Sequence, residues 1–246
     1  MTQRLSRRQA LGAFGTISLG GLLAACGGSD ERAAAGTTAR TTEGATTTVQ
    51  PRTAVPGATA ALFDDAASCT VTPQDAEGPF YFDADAVRSD IRENRPGALL
   101  RLALRVRDAG ACEPIPSAVV DIWHADADGD YSGVDGADGT RYLRGAQVTD
   151  AAGIVEFRTI YPGWYPGRAV HVHAKVHLDA RTVLTTQLYF DDALTDAVFE
   201  DRPYSSRGAR DQRNDGDRLF DRRLVLTATQ DGDGYRAIMT LDVQRS

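Results

Sequence analysis

The sequence predicts an all-β fold, a β-sandwich with few short helices. Three observations carry that expectation. Short segments with a period-two or continuous apolar pattern recur from residue 100 to residue 243, Gly, Pro and Asp turns separate them, and a helical pattern is confined to residues 193–199. Spacing of this kind belongs to sandwiches and barrels rather than to alternating strands and helices.

The elements follow in order. Residues 100–106 alternate Leu and Val with Arg, the mark of a half-buried strand, and residues 118–123 form a near-continuous apolar run. Strands are expected at 154–157, 170–178 and 183–190, then the helix at 193–199, then strands at 223–229 and 236–243. No internal repeat is visible. In the strand at 170–178, Val172, Ala174, Val176 and Leu178 fall on one face, and His171, His173, Lys175 and His177 on the other. The first face belongs to the core, and the second must line something polar.

Composition sets the limits on partners. The chain has 246 residues, a formal net charge of −7 and 42% hydrophobic residues, enough for one sizeable core. An acidic balance gives no electrostatic footprint for nucleic acid or for an anionic membrane, and no apolar run in the body of the chain is long enough to span a bilayer.

Residues 1–26 read as an address. Arg4, Arg7 and Arg8 precede an apolar run that ends in Leu23-Ala24-Ala25-Cys26, the pattern of a bacterial lipoprotein signal. Cys26 is expected to be the lipidated first residue of the mature chain, holding it to the outer face of the cell membrane by a lipid anchor. Arg7-Arg8 followed by Leu11 also fits a twin-arginine signal, with ordinary n-region charge as the alternative. Residues 27–61, rich in Thr, Ala and Gly, are too poor in large apolar side chains to bury a core and read as a flexible tether. Residues 62–246 are the folded domain. Within it Cys69 and Cys112 make an even pair, and in an exported protein a disulfide between them is expected, with two buried free thiols as the alternative.

Chemistry concentrates between residues 131 and 173. His171 and His173 share a strand face with Cα atoms roughly 6.5 Å apart, a separation one metal ion can bridge. Tyr131 and Tyr165 each sit beside Gly or Pro, where a side chain can be aimed inward from a loop. Phenolate is a hard anionic donor suited to a trivalent ion, and a bound cation holds a phenol deprotonated far below its free pKa of about 10, so two imidazoles and two phenols point to a ferric site. Standing alone, a His-x-His pair is as often structural as ligating. His177 lies roughly 13 Å from His173 along the strand, too far for the same ion. His124 reads as a satisfied structural histidine. The acidic stretch Asp126-Ala127-Asp128-Gly129-Asp130, with Asp135 and Asp138 beyond it, lacks the glycine and closing Glu of an EF-hand loop and reads as a solvated turn.

These residues carry a family resemblance. Thr72-Pro73-Gln74 with Glu77-Gly78-Pro79-Phe80-Tyr81, Val120-Asp121-Ile122-Trp123-His124-Ala125 with Gly129-Asp130-Tyr131, and Thr149-Asp150 with Gly153 are followed by Phe157-Arg158-Thr159-Ile160. Then come Pro162-Gly163-Trp164-Tyr165-Pro166, Arg168 ahead of His171-Val172-His173, and Thr185-Thr186-Gln187-Leu188-Tyr189-Phe190. In this order they make residues 69–243 resemble the intradiol ring-cleavage dioxygenases of the protocatechuate and catechol type. The resemblance implies a non-haem Fe(III) enzyme that cleaves the bond between the two hydroxylated carbons of a catechol with O2, giving a muconate-type diacid. It implies Tyr131, Tyr165, His171 and His173 as metal ligands, with Tyr165 leaving the metal as substrate binds. It implies Arg168 as the stabiliser of negative charge on the ring and Gln187 as a nearby polar group. Tyr161 is a rival to Tyr165 that the Pro-Gly-Trp-Tyr-Pro context disfavours.

The chain departs from the family in two places. The stretch from Tyr165 to His171 is short where better-known members carry an insertion that walls the cavity, and the tether stands where the catechol branch has a helical dimerisation segment. Two other readings remain: a lipid-anchored sandwich that binds a ligand without turnover, and a zinc or ferrous site completed by a carboxylate.

Overall fold

The computed structural model describes residues 37–40, 46–49, 60–63, 69–82, 84, 86–134, 139–179 and 181–245. The signal expected over residues 1–26, with Cys26, lies outside these residues, as do Asp135 and Asp138. All that is described belongs to one unit spanning residues 34–246.

Two strands pair inside the stretch assigned to the tether. β1 (Thr37–Arg40) runs antiparallel to β2 (Thr46–Val49), with Thr37 opposite Val49. The sequence reading placed no strand there. Threonine is β-branched and favours extended backbone, while a lone two-stranded ribbon is only marginally stable in water.

The remaining strands build a sandwich of two four-stranded sheets, as the sequence predicts. They are β3 (Leu99–Asp108), β4 (Val119–Trp123), β5 (Arg144–Val148), β6 (Ile154–Ile160), β7 (His171–Leu178), β8 (Arg181–Tyr189), β9 (Thr227–Asp231) and β10 (Gly234–Val243), with helix α1 (Asp192–Phe199) after β8. One sheet has the order β6-β3-β10-β9 and the other β5-β4-β7-β8. β3 and β10 run parallel and the other neighbours in the two sheets antiparallel. Leu100, Leu102, Leu104 and Val106 of β3 meet Val120 and Ile122 of β4 and Val172, Ala174 and Val176 of β7 in one buried cluster between the sheets. The apolar half of the β7 alternation therefore points into the sandwich. The histidine half is left on the outer face of the β5-β4-β7-β8 sheet, and loops cover it.

Two elements differ from expectation. Residues 223–229 are not one strand: a single helical turn, Arg222–Leu224, comes first, capped by the Asp221 carboxylate accepting the Arg223 N–H at 2.9 Å, and extended pairing starts only at Thr227. β5 was not anticipated, because Arg-Gly-Ala-Gln-Val has no apolar alternation. A Cβ at Gly145 would stand 2.6 Å from Ile91 Cγ2, so glycine permits the close packing of Ile91 against this strand.

The acidic turn is solvated only in part: Asp128 and Asp130 are exposed, and Asp126 is not. Asp126 is buried, ion-paired with Arg95, and its Oδ1 accepts the N–H groups of Asp128 and Asp130 at 2.9 and 3.0 Å. Its carbonyl accepts the Gly163 N–H at 2.9 Å, which ties the turn to the loop that carries Tyr165. The signal read as exposure was a cluster of carboxylates, one of which organises backbone donors instead. Cys69 and Cys112 are joined in a disulfide, with Cα atoms 5.6 Å apart.

Candidate metal centre

Sheet register places the first group of side chains. Trp123 at the end of β4 pairs with His173 of β7, which pairs in turn with Gln187 of β8, and His171 pairs with Tyr189. Cross-strand partners share a face, so one row of the outer face holds Trp123, His173 and Gln187, and the next His171 and Tyr189. Loops bring the rest: Tyr131 follows β4, Tyr165 and Arg168 lie between β6 and β7, and residues 72–82 run along β8. That last segment is fastened by Asp75 N–H to Thr185 carbonyl at 2.8 Å, Thr186 Oγ1 to Pro73 carbonyl at 2.9 Å and Gln187 Nε2 to Ala76 carbonyl at 2.8 Å.

Three donor atoms converge. His171 Nε2 lies 3.0 Å from His173 Nε2 and 3.2 Å from Tyr165 Oη. The Nδ1 of His171 is 2.6 Å from the Ala169 carbonyl, an acceptor only, so that nitrogen carries the proton and Nε2 presents a lone pair. Tyr131 completes the group. Its ring lies 5.7 Å from that of Tyr165 and 6.1 Å from that of His173, and its buried hydroxyl has no hydrogen-bond partner. A buried hydroxyl left without a partner costs about 1–3 kcal/mol, a cost that folds keep where function needs the atom.

Burial sets the protonation states. It pushes His171 down to about 3, with the Arg168 charge adding to the effect, and drives His173 well below its ordinary value, so both imidazoles are neutral donors at physiological pH. It raises Tyr131 far above the usual phenol value and Tyr165 less far, Arg168 opposing the shift at Tyr165. Only a bound cation would reverse such shifts and make both phenols anionic. Among the described residues no group of three or more histidine, cysteine or carboxylate side chains could hold a metal ion, and the side chain that reaches His171 Nε2 from the loop is the phenol of Tyr165.

Arg168 and Gln187 lie beside the donors. The guanidinium Nη2 donates to Gln187 Oε1, and Nη1 reaches Tyr165 Oη at 3.4 Å. Aromatic rings close the walls: Trp123 stacks on His173 with centroids 4.7 Å apart, and Phe80 stacks on Tyr131 at 4.5 Å. Lys175, further along the same face, pairs with Glu77 and sits 3.5 Å above the Tyr81 ring, fixing residues 77–81 over the site.

The rival tyrosine is elsewhere. Tyr161 is fully buried against Phe190 with its hydroxyl 2.8 Å from Thr195 Oγ1, and it belongs to the core. His124 is satisfied on both nitrogens, by the Ala125 carbonyl at 2.8 Å and Thr159 Oγ1 at 2.7 Å. Sequence reasoning missed Asp217, Asp75 and the enclosing roles of Trp123 and Phe80. Asp217 sits 49 positions from the arginine that it pairs with, in a polar stretch with no distinguishing pattern.

The chain is similar to proteins of known kind. A family model described as dioxygenase matches residues 76–213. A chlorocatechol 1,2-dioxygenase of Pseudomonas sp. (strain P51) is 31% identical over 138 residues, 47% of this chain and 54% of that protein, so the chain spans about half the length of the curated relatives it matches. An intradiol ring-cleavage dioxygenase from Tetranychus urticae superposes with a TM-score of 0.69 at 32% identity, over 72% of this chain and 95% of that one. The dioxygenase domain of a carbohydrate-binding fusion protein from Streptomyces sp. SirexAA-E gives 0.56 at 32% identity, over 72% of this chain and 100% of that one. With the family's model spanning more than half of the sequence and the Tetranychus structure matched over nearly its whole length, the chain belongs to the intradiol ring-cleavage dioxygenases.

Proposed function

We propose that this chain is a non-haem Fe(III) intradiol dioxygenase, cleaving the bond between the two hydroxylated carbons of a catechol-type aromatic with O2 to give a muconate-type diacid. The observation that carries the reading is the convergence of His171 Nε2, His173 Nε2 and Tyr165 Oη beside the unpartnered, buried hydroxyl of Tyr131. Tyr131, Tyr165, His171 and His173 would hold the iron. Bound there, ferric iron supplies a Lewis-acid centre for the two oxygens of a catechol dianion.

The side chains do the remaining work. Tyr165 is the less buried phenol and the one that Arg168 contacts, so it is the group suited to leave the metal and take a substrate proton on Oη. Arg168, within reach of Tyr165 Oη, would place its fixed positive charge where it stabilises negative charge developing on the substrate. Gln187 orients Arg168 through its Oε1 while its amide holds residue 76 of the covering segment. Trp123 and Phe80 keep water from the donors. The curated relatives are named for catechol and chlorocatechol, and a catechol-type ring is the substrate class we assign to this chain.

The proposal extends to location. The lipoprotein pattern ending at Cys26 supports export and lipid anchoring at the outer face of the cell membrane, and a Cys69–Cys112 disulfide is suited to that oxidising environment. A visible spectrum of the purified ferric protein tests the chemistry. Tyrosinate-to-iron charge transfer would make it red, with a band that moves to longer wavelength on anaerobic addition of catechol. A protein that takes up no iron, or a ferric protein whose spectrum ignores catechol, would overturn the reading.

A further inference from the structure

We propose that Asp217 is a positioning residue for this reaction, acting through Arg168; the inference rests on the functional reading above. The Asp217 side chain is 1% exposed, and both of its oxygens are used. Oδ2 accepts Arg168 Nε at 2.9 Å and the Ala169 N–H at 2.9 Å, while Oδ1 accepts the Leu219 N–H at 2.9 Å.

The bond to Nε is the one that matters for the site. A guanidinium is planar, so fixing Nε and the stem fixes the plane and turns the opposite edge in one direction. Here that edge meets Tyr165 Oη at 3.4 Å and Gln187 Oε1, with Tyr189 Oη at 3.4 Å from Nη2. Arg168 has no support from a helix or strand: it follows Gly167, whose φ is +77°, in the loop before β7. An untethered arginine retains about 2 kcal/mol of rotamer entropy. It would also have a competing anion close by. Asp75 accepts from Tyr189 Oη at 3.2 Å and feels the Arg168 charge, so without Asp217 it is the carboxylate toward which the fork can swing, away from Tyr165. Of the two remaining bonds of Asp217, the one to Leu219 holds the loop, and the one to Ala169 backs the residue whose carbonyl fixes His171 Nδ1. Iron content reports that second path and the dependence on Arg168 reports the positioning role, so the two are separated by experiment.

The test uses the ferric holoenzyme with catechol as probe, comparing Asp217→Ala, Asp217→Asn, Arg168→Gln and the double variant Asp217→Ala/Arg168→Gln. Iron content and the visible band of Asp217→Ala should match wild type. Its kcat should fall on the order of 100-fold, the cost of a small misplacement, with a lesser change in KM. In the Arg168→Gln background the same substitution should change kcat by about twofold at most, because its effect is already spent. The affinity for catechol measured anaerobically at the visible band should show the same lack of accumulation. An equal factor in both backgrounds, or an unchanged kcat in Asp217→Ala, overturns the inference. Should Asp217→Ala fail to fold, Asp217→Asn, which keeps an acceptor oxygen and loses the charge, is read against the same criteria. A wild-type holoenzyme without turnover or spectral response to catechols overturns the functional reading and this inference with it, whereas an active wild type beside a neutral Asp217 variant overturns this inference alone.

Discussion

The imidazole of His173 lies flat against the indole of Trp123, the centroids 4.7 Å apart and the planes 5° from parallel. Register dictates the contact, since the two residues are directly paired across β4 and β7. The indole therefore fixes the ring plane of His173, while His171 is fixed differently, through its bond to the Ala169 carbonyl.

Replacing Trp123 by Ala should remove that wall. Trp123 is among the largest fully buried side chains, and truncation of such a residue costs about 3–5 kcal/mol. Trp123→Phe keeps a flat ring and should retain iron with a smaller loss of stability. Thermal unfolding with iron analysis of the two variants decides the matter, and equal iron loss in both would mean that stacking is not what holds His173.

Tyr131 allows a sharper separation of stability from function. Its hydroxyl is buried without a partner, so Tyr131→Phe should leave the metal-free protein as stable as wild type, or more stable by about 1 kcal/mol. The same variant should bind Fe(III) more weakly and lose the part of the visible band that belongs to one tyrosinate. Denaturant unfolding of the metal-free forms and an iron titration measure the two effects. A destabilised metal-free variant would show that the hydroxyl serves the fold instead.

The parts of the site that follow strand period were legible in the sequence. His171 and His173 occupy one face of β7 because side chains alternate, and the same rule put Val172, Ala174 and Val176 in the core. The loop positions Tyr131 and Tyr165 were legible from their Gly and Pro neighbours, which leave a side chain free to turn inward. What the sequence hid is tertiary. β5 was missed because its residues are chosen by packing under Ile91 rather than by alternation, and Asp126 was misread because carboxylates in a row look alike until one of them meets Arg95. Asp217 and Asp75 come to Arg168 from opposite ends of the domain, a meeting that no local pattern encodes.

Acid should destabilise the metal-free protein through histidines buried in the neutral form. Burial lowers His124 to about 4, against about 6.5 in an unfolded chain. Above pH 6.5 neither state binds the proton and the full stability is present. As pH falls from about 6.5 to about 4 the unfolded state protonates and the folded state does not, so stability falls by up to about 1.4 kcal/mol per pH unit, about 3 kcal/mol in all, and this loss is complete near pH 4. His171, lowered to about 3, acts in the same direction to lower pH. Urea unfolding between about pH 7 and about pH 4.5 should give His124→Gln a shallower pH dependence than wild type by close to one proton. Parallel curves would mean that His124 binds its proton over the same pH range in the folded and the unfolded chain.

Gly78 provides a test of the covering segment without touching any donor. Its φ is +75°, a conformation that side chains disfavour, and an added Cβ would stand 3.2 Å from His173 Cε1. Gly78→Ala therefore combines backbone strain, of order 1–3 kcal/mol, with pressure on a ring already backed by Trp123 on β4. The methyl group would press on the Cε1 edge of the ring, and the expected relief is the segment at residues 76–80 lifting away. That movement would stretch the bond from Gln187 Nε2 to the Ala76 carbonyl and loosen the amide that orients Arg168. The expected outcome is a variant that keeps most of its iron, since no donor is altered, but turns over a catechol about tenfold more slowly or worse. Iron content, the visible band and kcat read together discriminate the cases. Wild-type kcat in Gly78→Ala would show that the segment absorbs a methyl group without disturbing Gln187, and loss of iron with kcat would show that the strain is relieved at His173 itself.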